Sequence, residues 1–330
     1  MTATRTHASS WGHAAAAVLG LTALLTLLLV AFAWPAANTE PHEVPIVVAA
    51  PAPVADDVEQ GLARAGADAF DVSRLGGRAA AVTAIEDREV YGAIVVGPRG
   101  PELLTASAAS PAVAQMLGQL AAQMPTDPAV GAPRVTDVVP LPEDDPRGAG
   151  LAAGALPLVI GGIITGAVLS LRVSGRAPRL AGALGIAVAG GLAMTAVLRY
   201  WLGSLEGDYW ATSGVVALAI GATAAVLLGL ERVLGLPGLG IGAAVMLLLG
   251  NPLSGLTSAP ELLPAGWGTL GQMLPPGAAG TVLRSVSFFD GAGSGGSFVV
   301  LAVWLAVGLL LLAVPRRSAR PMAVAEPIAA

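Results

Sequence analysis

The sequence AAAAVLGLTALLTLLLVAFAW, at residues 14–34, contains no charged side chain and is long enough to cross the hydrocarbon core of a bilayer. Arg5 precedes the run, and no acidic residue does. A cleaved signal peptide is the alternative interpretation, because small residues follow near Ala33. The run is longer than the apolar part of an ordinary signal peptide, so we predict an uncleaved membrane anchor.

Apolar sequence continues along most of the chain. Of 330 residues, 55% are hydrophobic and 12% are charged, whereas an ordinary soluble chain is about 25% charged. A soluble fold cannot bury so much apolar surface, so we expect the lipid bilayer to cover part of it. Five further apolar runs span residues 150–171, 180–198, 211–230, 236–249 (the shortest) and 298–314. The sequence therefore predicts a polytopic α-helical membrane protein with about six transmembrane helices.

Residues 36–148 differ in character, because Pro, Asp, Glu and Arg interrupt short apolar runs. Alternation and turn residues predict strands at residues 44–50, 70–75, 91–96, 102–106 and 134–141. Helical spacing predicts helices at residues 54–65 and 78–90, and a third that begins at Pro111. The order βαβαββαβ indicates an inserted extracytoplasmic α/β domain, large enough to build its own core.

Residues 251–297 cannot form a single helix, because five prolines and many glycines interrupt them. Their semi-apolar character predicts a broken, re-entrant hairpin that rests at the membrane interface or dips into it. The predicted organisation has four parts: a cytoplasmic N-terminus with the first helix, the α/β domain, a five-helix membrane domain that includes the hairpin, and a cytoplasmic tail. Their bounds are 1–35, 36–148, 149–314 and 315–330.

Arginine is distributed unevenly among the segments that connect the predicted spans, and the positive-inside rule places the arginine-rich segments in the cytoplasm. With the N-terminus inside, the cytoplasmic segments contain Arg5, Arg172, Arg176, Arg179, Arg232, Arg316, Arg317 and Arg320. The short outer segments contain Arg199 and Arg284 against Glu206, Asp208, Glu261 and Asp290. We therefore predict a multi-pass protein of the bacterial plasma (inner) membrane, with both termini in the cytoplasm and residues 36–148 outside.

Several classes of chemistry are excluded by residues that the chain lacks. It contains neither Cys nor Lys, which excludes thiolate chemistry, Schiff-base chemistry and the lysine of a phosphate-binding loop. His7, His13 and His42 have no partner at metal-ligand spacing. The net charge of −5 comes without a basic patch, so nucleic-acid binding has no support. We assign no catalytic residue, no cofactor and no metal site.

Two sets of residues in the spans are candidates for contacts. Gly162 and Gly166 form a small-xxx-small pair, as do Gly238 and Gly242. Such pairs are typical of close helix packing, either within one chain, which we favour, or at a dimer interface. The pair Glu231 and Arg232 has two interpretations: the side chains extend to the membrane interface, or they contact a cytoplasmic partner.

The quoted anchor, outer domain and broken hairpin resemble the layout of type-2 ABC exporter permeases, especially the branch with a YhgE/Pip-like outer domain. Three segments carry the resemblance: VPIVVAAP at residues 44–51, AIEDREVYGAIVVGP at residues 84–98 and LGQMLPPGAAGTVLR at residues 270–284. The first resembles a strand that leaves the anchor. The second resembles a helix that leads into a buried strand, and the third resembles the outer element before the last span.

The resemblance implies export of an apolar or amphipathic substrate, or a drug, by a homo- or heterodimer of permeases with a separate ATPase. Contact with that ATPase would involve Arg172, Arg176, Arg179, Glu231 and Arg232. The inner loop RVSGRAPR, residues 172–179, is however shorter than the coupling loops of such permeases. The alternative is therefore a non-transporting YhgE/Pip-like protein, such as a secretion accessory or a phage receptor. An intramembrane enzyme has little support, because the usual catalytic sets are missing.

Overall fold

The computed structural model describes residues 11–66, 68–98, 100–123 and 133–315. The predicted tail from residue 316 onward, with Arg316, Arg317 and Arg320, lies outside the described residues, as does Arg5. The described chain forms a helix bundle, an α/β domain inserted between the first two long helices, and a hairpin of short helices that lies between the two.

Five helices are long and apolar enough to cross a membrane. They are α1 (Trp11–Ala37), α5 (Ala149–Arg172), α6 (Arg176–Ala196, extended by a π-helical turn to Trp201), α7 (Tyr209–Leu234) and α11 (Gly295–Ala313). The predicted short span at 236–249 forms α8 (Leu236–Ala244), which a π-helical turn extends to Gly250. It falls below the length of the other five because Pro252 follows directly after Asn251.

Helix α7 occupies the centre of the bundle and packs against α5, α6 and α11. Most of its length is buried inside the protein, whereas α1 buries little besides Pro35. Glycine permits the closest approach: a Cβ added at Gly308 of α11 would lie 2.4 Å from the backbone carbon of Ala225 in α7. The bundle is therefore held by direct backbone contact around one central helix.

The two ends of the bundle differ. We call the end at residues 173–175 and Gly235 the loop side, because short turns connect α5 to α6 and α7 to α8 there. We call the opposite end, where α1 ends and α5 begins, the domain side. On the domain side, Asp145 caps α5 by accepting hydrogen bonds from the backbone N–H groups of Ala149 and Gly150, both at 2.8 Å.

The α/β domain is built on a mixed five-stranded sheet of order β2-β1-β3-β4-β5, in which β4 runs antiparallel to β3 and the other pairs are parallel. Val47 of β1 pairs with Ala93 of β3, and Ile94 of β3 pairs with Leu103 of β4. The strands follow the predicted order and are β1 (Val44–Ala49), β2 (Phe70–Arg74), β3 (Gly92–Gly97), β4 (Gly100–Thr105) and β5 (Arg134–Asp137). Strand β1 lies between β2 and β3, and helices cover both faces of the sheet there. Its Val and Ile side chains are therefore buried.

The helices of the domain are α2 (Ala52–Ala65), α3 (Arg78–Glu86) and α4 (Pro111–Gln123). Helices α2 and α4 pack on one face of the sheet, and α3 packs on the other. Helix α4 begins as predicted at Pro111, where the Oγ atom of Ser110 accepts a hydrogen bond from the N–H of Val113 at 3.2 Å.

The hairpin consists of two 3-10 turns followed by α9 (Trp267–Gln272) and α10 (Pro275–Phe288). The indole Nε1 of Trp304 donates a hydrogen bond of 2.8 Å to the carbonyl oxygen of Met273. Trp304 lies about half-way along α11, so the start of α10 is deep in the bundle and its end reaches the domain.

Hairpin residues complete the core of the α/β domain. Phe289, which follows α10, packs with the face of the sheet that α3 covers. Ala259 and Leu262, in the first part of the hairpin, pack with the face that α2 and α4 cover. The core of the domain therefore includes hairpin side chains on both faces of the sheet, which the sequence-based expectation of a self-contained core did not include.

Candidate functional site: a cavity between the α/β domain and the hairpin

A cavity of about 800 Å³ lies where the α/β domain meets the hairpin. We call it the junction cavity. Its walls come from the segment before β1, the segment between α3 and β3, the first part of the hairpin and one side of α10. Its size falls in the range of small-molecule sites, and its lining contains ionisable side chains from both regions.

Arg88 enters the junction cavity from the C-terminal end of α3. The N–H of Arg88 donates to the carbonyl of Ile85 and the N–H of Glu89 donates to that of Ala84, which is a Schellman ending. Arg88 occupies the position that normally favours glycine, with a φ of 58°. Such strain of about 1 kcal/mol persists only where the surrounding contacts fix it, and it is concentrated at functional sites.

The side chain of Arg88 joins the domain to α10. Its Nη1 donates hydrogen bonds to the Oγ of Ser285 at 2.6 Å and to the carbonyl oxygen of Thr281 at 3.1 Å. The guanidinium carbon also lies 5.2 Å from the ring centroid of Phe289. Burial lowers the pKa of Arg88 from its usual value, and longer-range attraction from Glu261 opposes this shift.

Arg284, on α10, lines the same cavity and is only 6% exposed. Its Nη2 donates a hydrogen bond of 3.1 Å to the carbonyl oxygen of Leu256, and its Nε has no hydrogen-bond partner among the described residues. Neither Arg284 nor Arg88 forms an ion pair with a described carboxylate. A buried guanidinium without a counter-ion is costly, so this arrangement needs an explanation.

The carboxylate of Glu261, which lines the same cavity, already accepts a hydrogen bond. The hydroxyl of Tyr91 donates a hydrogen bond of 2.7 Å to Oε2 of Glu261, and the backbone N–H of His42 donates to the carbonyl oxygen of Glu261 at 2.8 Å. Burial, with a further contribution from Glu261, raises the pKa of Tyr91 above its usual value, so its phenol keeps its proton as a donor. Glu261 therefore ties the hairpin to the domain instead of pairing with an arginine.

Charge changes sign between the edge and the interior of the junction cavity. Glu43, Asp68 and Glu89 line it with exposed side chains, whereas Arg284 is buried. Glu43 also has a left-handed backbone, with a φ of 51°. The cavity thus has a negative rim, and its interior contains two arginines, Arg88 and Arg284, with one carboxylate, Glu261.

A second cavity, of about 400 Å³, lies between the domain-side ends of α1 and α5 and the hairpin. We call it the apolar slot. Phe32 on α1 and Leu156 on α5 line it, and they are 39% and 42% exposed. Its other apolar lining residues include Pro35, Ala36, Ala152, Ala155 and Pro252, and its polar lining residues are Thr39, Asn251, Ser254, Thr257 and Ser258. Because both helices belong to the set that can cross a membrane, the slot opens on surfaces that suit lipid.

The two cavities are neighbours. Ser254, Leu256 and Leu263 of the hairpin line both of them. Leu256 is also the residue whose carbonyl accepts the hydrogen bond from Arg284. The wall between a charged site and an apolar one is thus a few hairpin residues thick.

The residues predicted to contact a partner lie together on the loop side, far along the bundle from both cavities. Arg179 forms an ion pair with Glu231, with Nη1 and Oε2 2.7 Å apart and side chains that are 12% and 9% exposed. The guanidinium of Arg179 also donates to the carbonyl oxygens of Val173 and Ser170. The pair joins the start of α6 to the end of α7.

The other predicted contact residues are more exposed. Arg176 and Arg232 both donate to the carbonyl oxygen of Val314, at 2.9 and 3.0 Å, which places the end of α11 beside the ends of α6 and α7. Arg172 is the last residue of α5 and is exposed.

The four glycines predicted for helix packing contact residues of the same chain. A Cβ at Gly162 would lie 2.6 Å from the Cβ of Thr223, and one at Gly166 would lie 2.7 Å from the Cβ of Leu227, both on α7. A Cβ at Gly238 would meet the carbonyl oxygen of Leu230 at 2.4 Å, and one at Gly242 would lie 2.8 Å from the side chains of Leu227 and Leu230.

The sequence-based search for sites missed the junction cavity. Arg284 counted there only as an outer arginine, although it is the single charged residue in the otherwise uncharged segment PPGAAGTVLRSVSFF, residues 275–289. A lone cation in such a segment is the signal that would have identified it. Within the described part of the chain, no group of three His, Cys, Asp or Glu residues has a metal-binding arrangement.

Comparison of the chain with protein-family models, with curated proteins and with solved structures finds no match. The resemblance to type-2 exporter permeases therefore stays a prediction that rests on the three quoted segments.

Proposed function

We propose that this chain is the membrane-spanning subunit of an exporter for an amphipathic substrate, and that a separate ATPase supplies the energy. The observation that supports this best is the shared wall between the charged junction cavity and the apolar slot. An amphipathic molecule needs a polar site and an apolar site side by side. A site at the end of the bundle, next to helices that suit lipid, is where such a molecule enters or leaves the membrane.

The energy source follows from what the chain lacks. Without any Lys it has no phosphate-binding loop of the usual kind. The charged residues that we predicted to contact an ATPase all lie at the loop side, at the ends of α5, α6 and α7. They are Arg172, Arg176, Arg179, Glu231 and Arg232. Arg172 and Arg176 are exposed there and offer donors to carboxylates of a partner. An ATPase that acts on this protein is therefore expected to bind at the loop side.

Co-purification from native membranes tests the partner. An ATPase is expected to accompany the full-length chain, and Arg172→Ala/Arg176→Ala is expected to weaken that association while the purified protein keeps its unfolding temperature. If the wild-type chain brings no ATPase, or if it hydrolyses ATP alone, the proposed function is wrong.

Sidedness is a separate part of the proposal, in which the α/β domain is extracytoplasmic and the loop side is cytoplasmic. The absence of native Cys makes single-cysteine labelling clean. Gln60 on α2 and Ser174 are both exposed, so only the side of the membrane decides whether a cysteine at either position reacts. In intact cells, a membrane-impermeant maleimide is expected to label Gln60→Cys and to spare Ser174→Cys. Labelling of Ser174→Cys without permeabilisation would reverse the orientation.

A non-transporting membrane protein is the second candidate function. The observation in its favour is on the loop side, where each nitrogen of the Arg179 guanidinium already donates within the chain, to Val173, Glu231 and Ser170. The loop that remains for an ATPase is short. In this case the junction cavity binds its ligand without moving it, and no ATPase accompanies the chain.

A further inference from the structure

We propose that the junction cavity and the apolar slot together bind one anionic amphiphile, with its phosphate or carboxylate head group at Arg284 and Arg88 and an acyl chain in the slot. This inference rests on the proposed function, because it names the class of substrate that the exporter would take. It commits to a lipid-like molecule rather than to a free anion from solution.

The positive interior requires an anion. Arg284 is buried, its Nε has no partner among the described residues, and it lines the cavity together with Arg88. No described carboxylate forms an ion pair with either guanidinium, and Glu261, which attracts Arg88 from a longer distance, supplies one carboxylate against two arginines. Phosphate and carboxylate oxygens match the planar donors of arginine, and such charge-assisted contacts are the strong ones.

The surrounding contacts hold the two arginines in place before a ligand arrives. Ser285 and Thr281 accept from Arg88, and the ring of Phe289 lies against its guanidinium. Gln272 accepts from the hydroxyl of Thr281 at 2.7 Å and donates to the carbonyl oxygen of Ser254 at 2.9 Å, so it fixes α9 and α10 to the hairpin turn. A preorganised site of this kind lowers the entropic cost of binding.

The negative rim argues for entry from the membrane. Exposed Glu43, Asp68 and Glu89 repel an anion that approaches from water. The apolar slot offers the other route, because Phe32 and Leu156 are exposed at its sides on membrane-spanning helices. A free phosphate gains nothing from the slot, whereas an amphiphile buries its chain there.

The head group and the chain connect through the shared wall of Ser254, Leu256 and Leu263. The carbonyl of Leu256 already fixes one end of the Arg284 guanidinium, which leaves Nε free of described partners. A ligand that spans both cavities thus passes beside the hairpin turn at Leu256.

Direct binding to the purified full-length protein in neutral detergent tests the proposal. The probe is labelled dioleoyl phosphatidate, and the competitors are dioleoylglycerol, which has the same chains without the phosphate, and inorganic phosphate, which has no chain. Phosphatidate is expected to bind at equilibrium, and neither competitor in large excess is expected to displace it. Competition by inorganic phosphate would make the ligand a free anion, and equal binding of dioleoylglycerol would make the head-group site irrelevant; each result overturns the proposal.

Variants locate the binding. Arg284→Met is expected to weaken phosphatidate binding at least about tenfold through the loss of charge-assisted contacts. Arg147→Met removes the same charge from an exposed position of the domain side outside both cavities and is expected to bind as wild type. Ala155→Phe keeps every arginine but fills the slot, and it is also expected to weaken binding about tenfold. Wild-type affinity in Arg284→Met or Ala155→Phe contradicts the proposed pose.

The outcome is separable from that of the proposed function. Phosphatidate binding without an accompanying ATPase supports the amphiphile site and rejects the exporter. An accompanying ATPase without phosphatidate binding supports the exporter and rejects the amphiphile site.

Discussion

The two ends of the helix bundle neutralise their buried arginines in different ways. On the loop side, Arg179 has a carboxylate partner at 2.7 Å and two backbone carbonyl acceptors. On the domain side, Arg284 is more deeply buried than Arg179, yet it has one backbone acceptor and no described carboxylate in an ion pair. Burial alone therefore does not tell an arginine with a carboxylate partner from one without a described carboxylate partner.

What separates the two is whether the chain itself supplies the counter-charge. The Arg179–Glu231 pair connects α6 to α7, and breaking it leaves a buried charge without that partner. At the junction cavity the nearby carboxylate of Glu261 accepts a hydrogen bond from the Tyr91 hydroxyl and attracts Arg88 without forming a described ion pair. On the loop side the arginine thus has its ion-pair partner within the chain, whereas on the domain side no described ion pair includes Arg284.

The largest expected effect is at the loop side. Arg179→Met is expected to lower the free energy of unfolding by about 3–4 kcal/mol, the range for removing one partner of a buried ion pair. The measurement is SDS-induced unfolding in mixed micelles, followed by tryptophan fluorescence.

Two further variants serve as controls for that measurement. Arg172→Met, at an exposed position of the same loop, is expected to stay within about 0.5 kcal/mol of wild type. Arg179→Met/Glu231→Leu is expected to recover most of the loss, because both charges are then gone. If Arg179→Met were as stable as wild type, the ion pair between Arg179 and Glu231 would not contribute to the stability of the bundle.

The second-largest loss of stability is expected where Phe289 packs on the sheet of the α/β domain. Phe289→Ala removes a side chain that is 5% exposed and packs on the sheet, which should cost about 3 kcal/mol. The amides of β3 and β4 are therefore expected to exchange about a hundredfold faster by hydrogen exchange.

Phe298→Ala is the matched control, since Phe298 is 36% exposed on α11. It is expected to leave exchange in β3 and β4 unchanged. The fragment 40–142, which lacks Phe289, Ala259 and Leu262, is expected to bind a hydrophobic dye that the full-length domain excludes. A dye-free, protected fragment would mean that the domain closes its own core.

The bundle between the two ends gives a smaller effect. Gly162→Ala places a Cβ 2.6 Å from Thr223 and should destabilise the bundle by about 2 kcal/mol through overpacking. Gly161→Ala is the neighbouring control, because its Cβ meets nothing within 4 Å, and the better helix propensity of Ala should make it neutral or slightly stabilising. SDS-induced unfolding compares them, and equal stability of the two variants would contradict the α5–α7 packing.

The smallest effect on stability is expected at Arg284. Arg284→Met replaces a buried cation that has no described ion-pair partner, so unfolding should change by less than about 1 kcal/mol, with the variant equal to or more stable than wild type. The same SDS-induced unfolding measures it beside Arg179→Met. A loss in the free energy of unfolding as large as that of Arg179→Met would show that Arg284 stabilises the fold as much as Arg179 does.

Much of the fold follows from local pattern. The long apolar runs predicted the membrane-spanning helices to within a few residues, because length and hydropathy decide what can cross a bilayer. The strands and helices of the domain followed from short-range alternation and from Pro, Gly and Ser at their ends, as at Ser110 and Pro111. The exception among the spans is the helix Leu236–Gly250, where a run that reads as a span is too short to be one of this set.

The assembly of the candidate site followed from no local pattern, although the lone charge at Arg284 marked one of its residues. Arg88 and Ser285 are 197 residues apart in sequence, and their side chains meet at 2.6 Å. Phe289 completes the core of a domain whose strands end at residue 137. Periodicity reports which face of an element is buried, but it does not report which distant element covers that face.

The sequence by itself determined that the chain is a membrane protein with an inserted α/β domain, and that it has neither thiol nor lysine chemistry. These properties depend on composition and on neighbours within a few residues. Only the tertiary structure decided which arginine has a carboxylate at ion-pair distance, because Glu231 and Arg179 meet across two helices while the side chain of Glu261 accepts from Tyr91. Charge compensation is a property of distances in space, and the electrostatic energy that follows from it is invisible until the chain is folded.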